Sequence, residues 1–419
     1  MILSHTRKCL KLIAASLMLT AISSCSYEFD DKHDEPDDSK EINPAHRTIL
    51  VYMESTSLNN TTQDIREMQA LGATGSMKGN SLVVFNKSNK NTQTLFKVNL
   101  SDGSLDTLKV YDNNYPALSV TRLKDVINDT KKFAEADDYG LVLWSHGSGW
   151  WVRNDNNDNE ANDHDNNEGV TGKAVTLSFG MERFDYGNVY FDIPVLAEAL
   201  EGEDLQFIYF DACYMGGIEV LYDLKDVTQY VIASTAEVVW DGMPYDIGLP
   251  FLYEKRPDYT ALVNAVCNFA EMQQDGQNDY CTIAAFDMSK IENVASTTRS
   301  FYECKPVAPA DFTPQKFMWE TTCYFFDFLD IIDNLQLPED SDIDPEEFEY
   351  LRDNVDQAVA ECVIAKANTE YIWPGITSRR VKIDSFCGMS SNYLTSPVEA
   401  AKYGYDKTSW WNDVAKYQF

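Results

Sequence analysis

Basic residues are scarce in this chain of 419: Lys and Arg number 34 against 67 Asp and Glu, a formal net charge of −33. Nucleic-acid recognition needs clustered cations to displace the counterions around phosphate, so this balance excludes nucleic acid as a partner. Histidine is rarer still, at five. There is no Cys-x-x-Cys, no His-Glu-x-x-His and no Gly-x-Ser-x-Gly, which removes the common zinc spacings and the lipase-type serine elbow. Apolar runs stay shorter than the roughly 20 helical residues that cross a bilayer. Core material is plentiful: 44% of residues are hydrophobic and 12% aromatic, well above a disordered acidic chain. At ~150 residues per domain the length suits two or three domains, or one large α/β domain with additions.

The N-terminus reads as a targeting segment. Arg7, Lys8 and Lys11 form a positive region, and Leu10 to Ile22 is a short apolar stretch, the pattern of a secretory signal. It ends Ile22-Ser23-Ser24-Cys25, which resembles a bacterial lipobox whose cysteine is lipidated and becomes the mature N-terminus. Residues 1–24 are thus the expected signal peptide and Cys25 the expected lipidation site. Residues 25–46 form an acidic, solvated tether. Acyl chains contribute about 0.8 kcal/mol per buried CH₂, so several on one cysteine anchor a soluble domain. The acidic patch behind Cys25 resembles the signal that exports lipoproteins of some gut anaerobes to the cell surface. The expected location is the bacterial cell envelope, on the outer membrane through the lipid only, either surface-exposed or facing the periplasm.

From Arg47 the pattern becomes that of a folded α/β protein. Continuous apolar runs of strand length occur at Thr48–Met53, Leu82–Phe85, Tyr139–Trp144, Leu205–Phe210 and Tyr230–Ala233, as expected for strands buried on both faces. Helical spacing appears in Asp64–Leu71, Ser119–Ala136, Ile193–Leu200 and Ile218–Leu224, and Leu95–Val110 alternates around Asp102-Gly103 as a hairpin would. Strands alternating with helices predict a mostly parallel sheet covered on both faces. Residues 47–250 form this α/β core. Residues 251–419 read as largely helical, for example over Tyr259–Met272 and Glu346–Ala367, with an exposed acidic loop at Leu337–Glu347, and complete the fold. Cys267, Cys281, Cys304, Cys323, Cys362 and Cys387 lie here; in an exported protein they pair, or they stay as buried thiols.

In such sheets ligands bind at the carboxyl ends of the strands. Two ends stand out: Leu141-Val-Leu-Trp-Ser145-His146-Gly147-Ser-Gly149, and Phe207-Ile-Tyr-Phe-Asp211-Ala-Cys213-Tyr-Met-Gly216-Gly217. Each delivers one reactive side chain to the same rim, a histidine from one and a cysteine from its neighbour. The other histidines lie in the signal, the tether, the approach to the first strand and a polar loop, so His146 alone follows a buried strand. A cysteine nucleophile with an acid/base partner is the chemistry this pairing suits. A thiol of pKa near 8.5 is mostly protonated at neutral pH, so a nearby cation or the helix following Cys213 is expected to assist the thiolate.

Ser145-His146-Gly147 and Asp211-Ala212-Cys213-Tyr214-Met215-Gly216 resemble the His-Gly and Asp-Ala-Cys-x-Met-Gly motifs of the clostripain family of cysteine peptidases, in the broad group of caspases, legumain and gingipains. Phe325–Asn334 and Phe386–Tyr393 resemble later family segments more weakly. The resemblance implies a caspase-like α/β/α sandwich and peptide-bond hydrolysis without a required cofactor, acting on protein or peptide substrates. Carried over by position, Cys213 is the nucleophile, His146 the general acid/base, and the backbone N–H groups of Gly147 and Cys213 the oxyanion hole. The alternative is a catalytically silent surface lipoprotein that uses the same scaffold for binding.

In the family, the loop after the fifth strand lines the pocket for the residue before the scissile bond. Here it reads Ala233-Ser-Thr-Ala-Glu-Val-Val-Trp-Asp241-Gly242-Met243-Pro-Tyr245. Asp241, with Asp211 as a second acid, is placed to hold Arg or Lys by a charge-assisted hydrogen bond; Asp-Gly is also a common turn pair. Val238-Val239-Trp240 replaces the usual Pro-Gly-containing turn, and Met243 stands where Trp is common. Residues 153–169 form an acidic low-complexity insertion, expected as a surface loop. It carries two functional readings: calcium binding through Asp155, Asp158, Glu160, Asp163 and Asp165, although the spacing is not that of an EF-hand, and self-processing at Arg153, Lys173 or Arg183.

Overall fold

Eight consecutive buried residues, Arg47–Glu54, form the central strand β1. Its alternation sorts two apolar layers: Ile49, Val51 and Met53 face one way, Leu50 and Tyr52 the other. A computed structural model describes residues 47–419 except 56–57, 59–60, 89–91, 151–177, 185–186, 274–277, 319–324 and 374–379. Cys25, Cys323, Arg153, Lys173 and the candidate calcium ligands lie outside the described residues.

After β1 come helix α1 (Thr61–Ala73), strands β2 (Ser81–Lys87), β3 (Gln93–Val98) and β4 (Leu105–Tyr111), and helix α2 (Val120–Phe133). Next are β5 (Asp138–Trp144), β6 (Gly147–Gly149), β7 (Ser178–Phe184), β8 (Gly187–Asp192) and α3 (Ile193–Leu200). Then follow β9 (Leu205–Asp211), α4 (Ile218–Asp223), β10 (Thr228–Ala233), α5 (Tyr245–Leu252) and α6 (Tyr259–Gln273). The chain continues through β11 (Thr282–Asp287), α7 (Ile291–Tyr302), β12 (Phe326–Asp327), α8 (Phe328–Asn334), α9 (Pro345–Cys362) and β13 (Val363–Asn368).

The main sheet has the order β13-β11-β10-β9-β5-β1-β2-β3-β4. Its five central strands, from β10 to β2, run parallel, and two antiparallel strands flank them on each side. On one face Leu50, Leu141 and Ile208 pack with Leu123 and Val126 of α2, Leu196 of α3 and Leu221 of α4. On the other Ile49, Val142 and Phe207 meet Met68 of α1, Leu249 of α5 and Leu262 of α6. Both faces are therefore covered, as the unbroken apolar strands require. Ser119 caps α2, its Oγ accepting from Arg122 N at 3.3 Å, and Lys131 and Lys132 in the last turn complement the helix dipole.

The hairpin expected around Asp102-Gly103 is β3–β4. Gly103 has φ +75°, and a methyl group there would sit 2.2 Å from Gln69 O on α1, so only glycine fits. Three features differ from expectation. The antiparallel set β6-β7-β8 is absent from the sequence reading: β6 is only three residues long, and Gly180 and Glu182 break the apolar pattern of β7. The helix expected over Glu346–Ala367 ends at Cys362, and the chain becomes edge strand β13, paired with β11. Val363 and Ile364 are β-branched, and β11 needs a partner for its outer hydrogen-bonding edge, so pairing overrides helical periodicity. The acidic loop expected to run to Glu347 stops at Asp344, which caps α9 by accepting from Glu346 N at 2.8 Å.

Of the six later cysteines, Cys267 and Cys281 form a disulfide across a separation of 14 residues. Cys304, Cys362 and Cys387 are buried thiols. Closing a loop of that size is worth about 3 kcal/mol through the unfolded chain. The double variant Cys267→Ala, Cys281→Ala should therefore lose about 3 kcal/mol of unfolding free energy in urea titrations; an unchanged midpoint would show that the bond does not constrain the chain.

Candidate active site

Strands β5 and β9 are adjacent and parallel, with Trp144 opposite Asp211. His146 and Cys213 each lie two residues beyond that pair, so the register carries both to the same rim. The His146 loop is fixed from beneath and beside. Ser145 Oγ donates to Oε2 of the buried Glu54 at 3.0 Å, Gly180 N donates to His146 O at 2.7 Å, and Ser148 Oγ meets Ser178 Oγ at 2.6 Å. The Cys213 loop is held by Tyr214 N to Ala236 O at 2.9 Å, Gly216 N to Ser234 O at 2.7 Å and Ser390 N to Gly216 O at 3.0 Å. A methyl group at Gly147 would fall 2.2 Å from Cys213 O and 3.0 Å from Cys213 N. The two loops thus touch through backbone, and glycine is what permits it.

Cys213 is partly buried. Its Sγ accepts from Val238 N at 3.3 Å. Burial pushes the thiol up to about 12, the negative charge of Glu237 adds to the rise, the Val238 N–H opposes it, and Asp211 adds further. The thiol is therefore protonated at neutral pH. The carboxylates of Glu237 and Asp211 oppose the expected help from α4, which starts only at Ile218. A nucleophile in this state needs a base to take its proton during attack.

Beside Val238 opens a pocket, continuous with solvent, lined among others by Asp211, Glu237, Val238, Asp241, Met243 and Tyr280. Both sequence-predicted acids are here, in different states. Asp211 is 5% exposed; its carboxylate accepts from Met243 N at 3.1 Å on each oxygen and from Tyr245 OH at 3.0 Å. Burial raises it to about 6 despite those bonds. Asp241 is partly exposed on the pocket wall. Glu237, which accepts from Tyr214 OH at 3.2 Å, is the member that sequence reading missed; its only signal was an acid on the loop after β10. Arg183 is exposed on β7. Among the described residues no cluster of His, Cys, Asp and Glu is arranged to hold a metal.

The clostripain-family profile, peptidase group C11, matches residues 51–311, and no curated protein matches the chain. Among solved structures, a secreted C11 cysteine protease from Bacteroides thetaiotaomicron, "iotapain", superposes with a TM-score of 0.70 at 26% identity, covering 89% of this chain and 100% of that one. An inactive zymogen C11 protease from Parabacteroides distasonis gives TM-score 0.70 at 22% identity over 89% of this chain and 99% of its own. A secreted C11 cysteine protease from Bacteroides thetaiotaomicron in complex with an irreversible peptide inhibitor gives 0.70 at 21% over 88% and 99%. The two more distant likenesses speak to the fold alone, which they place with the caspase-like C11 structures. With most of its length matched by the profile and both signature loops meeting at one rim, the chain belongs to the clostripain family of cysteine peptidases.

Proposed function

We propose that this peptidase is an endopeptidase that cleaves after Arg or Lys, with Cys213 as nucleophile and His146 as general acid/base. The observation that carries the assignment is the level ending of β5 and β9 together with the backbone contact of Gly147 and Cys213. In this reading His146 takes the Sγ proton as sulfur bonds to the substrate carbonyl carbon. The N–H groups of Gly147 and Cys213 stabilise the oxyanion, and a donor of this kind is typically worth roughly 10²–10³ in rate. Collapse breaks the C–N bond while His146 protonates the leaving amine; water, deprotonated by His146, then hydrolyses the thioester and returns the proton to sulfur.

The pocket beside Val238 supports the preference for a basic side chain. Asp241 is the acid offered to the cation, while Asp211 spends its oxygens on Met243 and Tyr245 and so holds the loop that carries Asp241. We further propose export with lipid anchoring at Cys25 in the outer membrane, calcium binding by the 153–169 insertion, and self-processing at Arg153, Lys173 or Arg183. These rest on the lipobox pattern, the clustered acids and the basic residues between the two motifs.

Cys213→Ala and His146→Ala should each lower kcat by about 10⁴-fold or more on an Arg-peptide amide. Mass spectrometry of the same preparations should show a cleaved wild-type chain and an intact Cys213→Ala chain. Retained turnover in either variant would overturn the dyad, and an intact wild-type chain would remove self-processing.

Loss of a charge-assisted hydrogen bond costs about 1.5–3 kcal/mol, so Asp241→Asn should reduce kcat/KM for Arg and Lys substrates by roughly 10–100-fold, with neutral residues at that position little affected. Equal losses on both substrate classes would argue that Asp241 only shapes the turn.

The carboxyl of Asp211, raised from 3.8 to about 6, holds its proton in the folded chain at pH values where the unfolded chain has lost it. Between about pH 4 and 6 the folded state therefore binds more protons, and stability falls as pH rises. The full difference is roughly 3 kcal/mol. Relative to Asp211→Asn, the wild-type melting temperature should drop through that window and be flat on either side; a rise instead would mean that the three hydrogen bonds outweigh burial.

A further inference from the structure

Tyr214, next after the proposed nucleophile, has φ +61°, the left-handed region that residues with a Cβ avoid. Its neighbours must hold it there. Two holders come from the adjacent loop: Ala236 O accepts from its N–H at 2.9 Å, and Glu237 Oε1 from its hydroxyl at 3.2 Å. The third is Phe325, whose ring stacks on the Tyr214 ring with centroids 4.4 Å apart and planes 16° from parallel.

Phe325 lies beyond residues 51–311, the stretch matched by the family profile. It is fully buried and itself anchored: its carbonyl accepts from Phe317 N at 2.9 Å, and the next residue begins β12, where Phe326 pairs with Ser391. The same ring reaches the histidine loop. Its centroid is 6.3 Å from that of Trp150, four residues after His146, and a methyl group on Gly149 would meet the Phe325 ring at 2.7 Å and Tyr214 O at 2.6 Å. One buried side chain from the C-terminal region thus contacts both loops of the site.

We propose that Phe325 is a positioning residue for the peptidase reaction: by stacking on Tyr214 it keeps that residue left-handed, and so fixes the direction in which Cys213 faces the His146 loop. This deepens the functional reading above and rests on Cys213 being the nucleophile. Phe325 touches no reacting atom. Without the ring, Tyr214 relaxes toward an ordinary negative φ, the backbone after Cys213 turns, and the bond from Tyr214 N to Ala236 O is pulled apart. The defect is one of orientation, which lowers kcat and leaves substrate binding in place.

The test uses the full chain and an Arg-peptide amide. Phe325→Ala should lower kcat by about a hundredfold with KM changed by no more than about twofold. Phe325→Leu, which keeps most of the apolar volume without a flat face, guards against a folding failure and should fall between. Adding Tyr214→Gly to Phe325→Ala supplies a residue that adopts positive φ without a stacking partner, and should recover about tenfold in kcat. Wild-type kcat in both Phe325 variants would overturn the proposal, as would a loss that Tyr214→Gly leaves uncorrected, because packing alone is blind to that rescue. Cys213→Ala measured alongside keeps the two ideas apart: turnover in that variant would defeat the nucleophile assignment itself.

Discussion

The register of β5 against β9 is the constraint on which the rest depends. From Gly140 opposite Phe207 to Trp144 opposite Asp211 the ladder is regular, and a slip of one position there would turn each side chain to the opposite face. Trp144 lies opposite Asp211, and both strands are apolar on both faces, so slipping would change the whole core. The reach of the site is thereby set by helix packing far from it: Leu123 and Leu196 on one side and Leu249 and Leu262 on the other clamp the strands. The loops then add little conformational freedom, because Gly147 presses on the Cys213 backbone.

Around this rim lies an unusual amount of buried charge. Glu54 and Glu182 are fully buried and Lys87 nearly so. Lys87 Nζ lies 3.6 Å from Glu182 Oε1, and Leu118 N donates to Glu182 Oε2 at 3.1 Å, yet burial still raises the Glu182 carboxyl. Burying such groups costs more than their attraction returns unless hydrogen bonds complete them. Here the bonds run to backbone and hydroxyl groups of separate elements: Glu54 to the residue before His146, Glu182 to the start of α2, Asp211 to Met243 and Tyr245. A buried carboxylate with such partners fixes where loops stand, a function that hydrophobic packing performs less selectively.

Much of this was legible in the sequence, because the signal was physical and local. Continuous apolar runs gave all five central strands, helical spacing gave α1 to α4, and Asp102-Gly103 gave the hairpin. The His146 and Cys213 loops were readable because each followed a buried strand and carried small residues. What was not legible depended on partners distant in the chain. Strand β13 was read as helix since its need to cover β11 is not written locally. Glu237 and Phe325 gave weak signals, an acid on the loop after β10 and the first residue of a segment of faint family resemblance, because one matters through its charge beside a sulfur and the other through a stack on a residue 111 positions earlier. The size of the rise at Cys213 was out of reach for the same reason: the sequence showed a mostly protonated thiol and a helix after it, but not the burial or the Glu237 carboxylate that fold beside it.

On the proposed reading, those acids tie specificity to reactivity. Glu237 and Asp211 raise the Cys213 thiol by charge as well as by sharing its burial, and they line the same pocket as Asp241. With no cation in the pocket, on the proposed reading, the carboxylates oppose formation of the Cys213 thiolate, and the sulfur rests in its neutral, less reactive form. A guanidinium or ammonium entering the pocket supplies the opposite charge beside them. It thereby offsets the charge part of the rise while leaving the burial part. On the proposed reading, a basic side chain does more than bind: it lessens the opposition to charge on sulfur, and a neutral side chain in the same pocket leaves that opposition in place. On that reading discrimination appears in kcat as well as KM, because part of the recognition is expressed only as the thiol gives up its proton to the proposed base, His146.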